Sequence, residues 1–177
     1  MSKPMISKEN LIGLYKKYTP ILKNHNIDLI LFYGSLLGYV RENDLLNEDD
    51  DIDFLVSRTQ YESLIECLKK VDNCIVKIFE DQITIYDYEY GSGPYDICIY
   101  DDYDKDILIK WDSNSLYSKE DIYPLKSIKF HDIDIFIPKD SKEILRQTYG
   151  DDYMIPRPKN KDYNWLEITK VRFKPIL

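Results

Sequence analysis

The feature that most constrains this chain is a short apolar run that ends abruptly at a Gly-Ser pair. Residues 28–33 (D-L-I-L-F-Y) are almost wholly apolar, which is typical of a strand buried on both faces of a sheet. Gly34 and Ser35 follow at once, and the apolar residues after them suit a short helix that begins at Ser35. The sequence therefore predicts an interior strand that turns directly into a helix.

Further helices and strands are predicted on either side of this junction. Apolar residues at helical spacing after Ser7, a good N-cap, predict a helix over 7–24, and a capping-box sequence at Thr59 predicts a second helix that ends near Lys70. The other predicted elements are strands at 51–56 and 95–100, hairpins at 74–88 and 127–137, and a helix at 141–149. Hairpins beside buried strands imply a mixed sheet, so the predicted fold class is α+β (α/β).

A pair of aspartates marks the point where the chain re-enters the sheet, at Asp51-Ile52-Asp53. Because residues i and i+2 of a strand point to the same face, Asp51 and Asp53 are expected to project side by side. Two neighbouring carboxylates repel each other unless a cation compensates, and all-oxygen ligands favour Mg²⁺ or Mn²⁺. Asp96, near the start of the apolar strand 95–100, is the predicted third ligand. The sequence thus predicts a site for one or two divalent ions.

Gly34 and Ser35 lie where the predicted strand passes into the helix. Backbone N–H groups of a helix N-terminus, a hydroxyl group and a residue without a Cβ atom come together there, which suits a phosphate group. The pair precedes the Asp-x-Asp strand in the chain. This order predicts a phosphate cradle and a metal pair on one sheet edge, and hence nucleotide chemistry.

The acidic residues are concentrated in two stretches of the sequence, and the rest of the chain is mildly basic. The formal net charge is −8, and residues 42–53 and 87–106 hold seven carboxylates each. This acidity disfavours a protein that coats DNA or RNA, which needs a basic face. Acidic runs are also common in solvated loops, so composition alone leaves both interpretations open.

Other features of the sequence exclude particular kinds of site and protein. Cys67, Cys74 and Cys98 are too few for a disulfide framework or a four-cysteine zinc site, and the two histidines are too isolated for a histidine metal site. No apolar run approaches the roughly 20 residues of a membrane span, and no signal peptide is visible. We expect a cytoplasmic protein without a membrane span, with a single domain over residues 1–177 and a basic C-terminal extension from about 154.

Two other interpretations of aspartate pairs are rejected. Asp132 and Asp134 repeat the Asp-x-Asp pattern, but they fall in a predicted hairpin turn without a phosphate cradle before them. A calcium loop opening at Asp49 would need Gly and Glu where the chain has Phe54 and Gln60.

The run from Gly34 to Asp53 resembles the LicD family of phosphocholine transferases, whose fukutin-related relatives transfer ribitol phosphate. It reads G-S-L-L-G-Y-V-R-E-N-D-L-L-N-E-D-D-D-I-D, against a family pattern of G-T-L-L-G-x-x-R, a spacer and W-D-D-D-I-D. The spacing matches without a gap, and the resemblance covers about residues 10–158. Further similarity lies in Tyr95-Asp96-Ile97, Pro124-Leu125-Lys126, Pro138-Lys139 and Tyr149-Gly150.

The resemblance implies a nucleotidyltransferase-like mixed β-sheet flanked by helices, and it implies roles for particular residues. Asp51, Asp53 and Asp96 are the implied metal ligands and catalytic residues, and Asp49 matches the leading Asp of the family pattern. The implied nucleotide- and phosphate-binding residues are Gly34, Ser35 and Arg41, and Lys126 is a further candidate. For Arg41 and Lys126, an ion pair with a nearby acidic residue is equally open.

The implied activity is the transfer of a phospho-substituent from a CDP-activated donor to a glycan hydroxyl, with Mg²⁺ or Mn²⁺ as cofactor. The sequence departs from the family pattern: Ser35 stands in place of the usual Thr, Glu48 in place of the usual Trp, and Asp44 in place of a common Gly. The identities of the donor and the acceptor therefore stay open. One alternative is a nucleotidyltransferase that transfers NMP to a small molecule, protein or RNA. Another is a non-catalytic protein whose acidic site holds a cation or a sugar.

Overall fold

The computed structural model describes residues 6–91, 93–111 and 114–156. Within these ranges the chain forms one sheet of nine strands and five α-helices. The strands are β1 (Ile30–Leu31), β2 (Ile52–Ser57), β3 (Ile75–Ile78), β4 (Gln82–Tyr86), β5 (Pro94–Asp102), β6 (Asp106–Ile109), β7 (Ser115–Ser118), β8 (Lys126–Phe130) and β9 (Ile133–Ile137). The helices are α1 (Lys8–Asn24), α2 (Tyr33–Glu42), α3 (Tyr61–Leu68), α4 (Lys119–Ile122) and α5 (Ser141–Tyr149).

The sheet is mixed, with the strand order β3-β4-β5-β2-β1-β9-β8. β6 pairs with β5, and β7 pairs with β6. β2 runs parallel to β5 and antiparallel to β1, while β1 runs parallel to β9. The predicted fold class is therefore confirmed. In this topology β2 and β5 begin at the same end of the sheet, which is the end at which β1 finishes. We call this end of the sheet, which carries Asp51, Asp53 and Asp96, the acidic edge.

Helix α1 covers one face of the sheet with buried aromatic side chains. The rings of Phe54 and Tyr95 stack with centroids 4.7 Å apart, and Tyr18 of α1 packs edge-on against Tyr95 at 6.0 Å. Because successive residues of a strand alternate between faces, Asp53 and Asp96 project from the opposite face. We call that opposite side the site face.

Several predicted elements are confirmed. The side chain of Ser7 caps α1 by accepting a hydrogen bond from the N–H of Asn10, and Gly150 ends α5 with a left-handed φ of 101°. Both predicted hairpins are present as β3–β4 and β8–β9. None of the described helices combines the length and apolar character needed to cross a membrane.

Three local predictions are corrected. The capping box at Thr59 is wrong, because the side chain of Ser57 accepts from the Thr59 N–H and caps a 3₁₀ turn that precedes α3. The strand predicted over 28–33 is shorter, because the chain leaves the sheet at Phe32 and α2 begins at Tyr33. The short β6–β7 hairpin is absent from the prediction, since charged residues interrupt its apolar runs.

The predicted basic extension falls largely on residues 157–177, which lie outside the described ranges. The single domain over 1–177 stays a prediction.

Candidate functional site

Three predicted aspartates meet at the acidic edge. The parallel register of β2 and β5 places Asp53 opposite Asp96, and Asp51 lies two residues before Asp53. One carboxylate oxygen from each of the three side chains lies within 4.8 Å of the others. All three side chains are partly exposed, so a ligand can reach them from solvent.

Asp53 lies at the centre of this group. Burial raises the pKa of its carboxyl well above the ordinary value, and the nearby charges of Asp51, Asp96 and Asp49 raise it further. The backbone N–H of Gly34 donates to the Asp53 carboxylate and opposes this shift in pKa. The raised pKa means that the ionised carboxylate is unfavourable here unless a positive charge compensates.

Asp96 is held by polar side chains of the neighbouring strand β4. Thr84 Oγ1 donates to Asp96 Oδ1 at 2.5 Å, and Gln82 also bonds to this carboxyl group. Burial raises the pKa of Asp96 to about 6, the charges of Asp51 and Asp50 add to the increase, and the two hydrogen bonds reduce it. The sequence-based prediction missed Thr84 and Gln82, although their alternation with apolar residues in β4 is a visible signal.

Asp49 is a fourth carboxylate beside the group. Its side chain is buried, and its Oδ2 accepts a hydrogen bond from the N–H of Leu46 at 3.2 Å. A Cβ atom added to Gly34 would lie 3.5 Å from Asp49 Oδ1 and 3.5 Å from Asp53 Oδ2. The bare backbone of Gly34 therefore leaves space directly beside two carboxylates.

The turn into α2 fixes the start of β2. The hydroxyl oxygen of buried Ser35 accepts a hydrogen bond from the backbone N–H of Asp53 at 2.9 Å. Tyr33, immediately before Gly34, has a φ of 43°, a left-handed value that a bulky residue rarely adopts. Gly34 and Ser35 thus hold Asp53 in place, and their contact with a donor phosphate stays a prediction.

The structure places Arg41 in the last turn of α2 and Lys126 at the start of β8. Arg41 Nη2 donates to the backbone carbonyl oxygens of Tyr153 and Ile155, so it ties the end of α2 to the chain after α5. Exposed Lys126 begins β8, three strands from β2, which corresponds to about 14 Å across the sheet. Phosphate binding by these two residues stays a prediction.

Tyr149, at the C-terminal end of α5, lies close to the aspartates. Burial raises the pKa of its phenol well above the ordinary value, and the charge of Asp53 is the next cause. α5 packs against α2, which carries Gly34 and Ser35. Tyr149, which also carries part of the family resemblance, therefore lies within electrostatic reach of the aspartates.

The arrangement fits a divalent metal ion. Carboxylate oxygens are hard ligands of the kind that Mg²⁺ and Mn²⁺ prefer, and three of them converge here. A cation would also offset the burial and the mutual repulsion that raise the pKa values of Asp53 and Asp96.

The second Asp-x-Asp pair lies elsewhere and serves local structure. Asp132 occupies the β8–β9 turn with a φ of 70°, as expected for a turn aspartate. Lys16 Nζ lies 3.7 Å from Asp132 Oδ2, and Lys129 Nζ lies 3.3 Å from Asp134 Oδ1. The predicted hairpin is confirmed, but only Asp132 lies in its turn, because Asp134 belongs to β9 and pairs with Lys129 of β8.

Solved structures of other proteins share the fold. The crystal structure of the lincosamide antibiotic adenylyltransferase LnuA, lincomycin-bound, aligns with a TM-score of 0.55 at 14% identity, over 95% of this chain and 99% of that one. The solution structure of the antibiotic-resistance factor ANT(2'')-Ia aligns with a TM-score of 0.54 at 14% identity, over 93% of this chain and 83% of that one. The fold is therefore that of the nucleotidyltransferases.

Sequence comparison defines the family within this fold. The family described as LicD/FKTN/FKRP, nucleotidyltransferase domain, matches residues 26–140, and the chain belongs to this family. The resemblance inferred from the Gly34–Asp53 motif is confirmed. An uncharacterized protein of Rickettsia typhi (strain ATCC VR-144 / Wilmington), RT0683, is 27% identical over 150 residues, which make up 81% of this chain and 48% of the relative. The chain spans about half the length of that relative.

Proposed function

We propose that this transferase is a metal-dependent phosphotransferase. It moves a phospho-substituent, such as phosphocholine or ribitol phosphate, from a CDP-activated donor to the hydroxyl of a glycan or glycoconjugate. Membership of the LicD family supports a transferase. The observation that carries the metal-dependent step is the convergence of the Asp51, Asp53 and Asp96 carboxylates within 4.8 Å. The cytoplasmic location stays a prediction from the sequence.

In this proposal, Asp51, Asp53 and Asp96 hold Mg²⁺ or Mn²⁺, whose charge offsets the negative charge of the donor phosphates. The donor diphosphate lies beside Gly34, where the missing Cβ leaves space next to Asp53. The backbone N–H of Gly34 and the side-chain hydroxyl of Ser35 fix the position of Asp53.

The transfer is an in-line displacement at phosphorus. The acceptor hydroxyl oxygen forms a bond to the phosphorus of the substituent, while the bond from that phosphorus to the bridging oxygen breaks and CMP leaves with the electron pair. The hydroxyl proton passes to a carboxylate. Asp96 is the candidate for this step because it lies on β5, on the side of Asp53 away from β1 and Gly34, where its carboxyl group is held by Thr84.

The test measures CMP release from CDP-choline and CDP-ribitol, with Mg²⁺ or Mn²⁺, in the presence of glycan acceptors. We expect Asp51→Asn to lower the rate by about 100-fold or more, since it removes a negative ligand of the ion. Asp132→Asn, in the β8–β9 turn, is the matched control and should keep the wild-type rate. An unchanged rate in Asp51→Asn would refute the proposal.

Mass spectrometry of the acceptor separates the alternatives. A gain equal to the substituent phosphate supports the proposed reaction, whereas a gain of a whole nucleotide would identify a nucleotidyltransferase. Binding of divalent ions and CDP-linked compounds without any turnover would favour the non-catalytic alternative.

A further inference from the structure

The site face continues from the aspartates onto the strands β4 and β3. The registers place Asp53 opposite Asp96, Asp96 opposite Thr84, and Thr84 opposite Lys77. Side chains of directly paired residues share a face, so these four residues form one row across the sheet. The hydrogen bond from Thr84 to Asp96 agrees with this arrangement.

Exposed aromatic side chains lie at the far end of this surface. Phe79 follows Lys77 by two residues and closes the β3–β4 turn, where its N–H donates to the Gln82 carbonyl oxygen at 2.8 Å. The ring centroids of Phe79 and Trp111 are 6.3 Å apart, and each side chain is 50% exposed. Two strand spacings separate β3 from β5, so this aromatic pair lies on the order of 10 Å from Asp96.

A cation and a third aromatic ring border the same surface. The ammonium group of exposed Lys77 lies 4.8 Å from the centroid of the Tyr86 ring. Tyr86 is two residues from Thr84 on β4 and therefore shares its face. Flat aromatic rings beside hydrogen-bond donors suit a ligand with apolar C–H faces and many hydroxyl groups.

We infer that Lys77, Phe79, Tyr86 and Trp111 form the binding surface for sugar rings of the acceptor. The inference rests on the proposed function, which places the donor diphosphate beside Gly34 on the β1 side of Asp53. An in-line displacement requires the acceptor hydroxyl to approach opposite the leaving CMP, and β4 and β3 lie on that opposite side of Asp53. The glycan stacks on Phe79 and Trp111 while its reactive hydroxyl reaches the aspartates.

The first test measures glycan binding alone, without donor and with EDTA, so it does not depend on catalysis. Wild-type protein and variants are applied to a printed array of bacterial and mammalian glycans. We expect Trp111→Ala to weaken retention of the bound glycans by about tenfold, because one stacking ring is lost. The matched control is Leu116→Ala, since Leu116 is 43% exposed and the β5–β6–β7 register places it on the opposite face from Asp96.

The second test is kinetic. Trp111→Ala should raise the KM for the acceptor about tenfold and leave the KM for the donor unchanged. A raised donor KM with an unchanged acceptor KM would overturn the inference, because the aromatic pair would then bind the donor base. Retention of no glycan by the wild-type protein, or retention equal in wild type and Trp111→Ala, would also overturn it. Glycan retention that depends on Trp111, without phosphotransfer from any donor, would support this binding surface while refuting the proposed function.

Discussion

Replacing Asp96 with Asn should stabilise the metal-free protein at pH 8 and have a much smaller effect at pH 4. The pKa of Asp96 in the folded protein is raised from 3.8 to about 6, mainly by burial. For a carboxyl group with a raised pKa, the stabilising contribution is complete below pH 3.8 and is lost as the pH rises through about 6. Asn carries no charge, and its side-chain oxygen can still accept the hydrogen bond from Thr84.

The size of the effect follows from the shift in pKa. A difference of about 2 units at roughly 1.4 kcal/mol per unit corresponds to about 3 kcal/mol, and the partial exposure of Asp96 reduces this to about 2 kcal/mol. The free energy of unfolding of Asp96→Asn, relative to the wild type, should therefore increase by roughly this amount between pH 4 and pH 8.

Urea denaturation in EDTA, followed by circular dichroism across this pH range, measures the difference. Added Mn²⁺ should stabilise the wild type more than the variant, because the variant has lost one anionic ligand. The control variant Asp132→Asn should show no comparable dependence on pH. A relative stability of Asp96→Asn that stays constant from pH 4 to pH 8 would contradict the argument that ionised Asp96 is unfavourable in the metal-free protein.

Ser35→Ala should lower the free energy of unfolding by about 1–3 kcal/mol, because the N–H of Asp53 loses its acceptor; urea denaturation equal to the wild type would argue against this bond. Two glycine variants should differ. Gly38→Ala should destabilise the fold by about 1–3 kcal/mol, since the new Cβ would lie 2.5 Å from the backbone oxygen of Asp44. Gly34→Ala should leave the melting temperature nearly unchanged, because the new Cβ would lie in ordinary van der Waals contact, 3.5 Å from its nearest neighbours, but it should raise the KM for the donor. Equal melting temperatures for the two glycine variants would contradict this comparison.

Local patterns were sufficient to predict the aspartate pair and most of the elements. The two-residue period of a strand places Asp51 and Asp53 on one face whatever the rest of the fold does. The apolar run before Gly34 likewise predicts a strand that passes into a helix, and the structure differs in the length of the strand and in where the helix begins.

The remaining features depend on contacts that are distant in the sequence. Thr84 reaches Asp96 only because β4 lies next to β5, and no local pattern fixes that neighbour. The hydroxyl oxygen of Ser35 accepts a hydrogen bond from the N–H of Asp53, which is 18 residues away, and no local pattern predicts that bond. The positive φ of Tyr33 is also imposed by the surrounding fold, because local propensity disfavours it.

The parallel pairing of β2 with β5 joins strands between which α3 and the β3–β4 hairpin intervene. A peptide that ends before β5 keeps Asp51 and Asp53 but lacks Asp96, so it cannot form the cluster of three carboxylates. A bound ion would thus link β2 to β5 noncovalently. It would slow the separation of these two strands and so protect the segment between them from proteases.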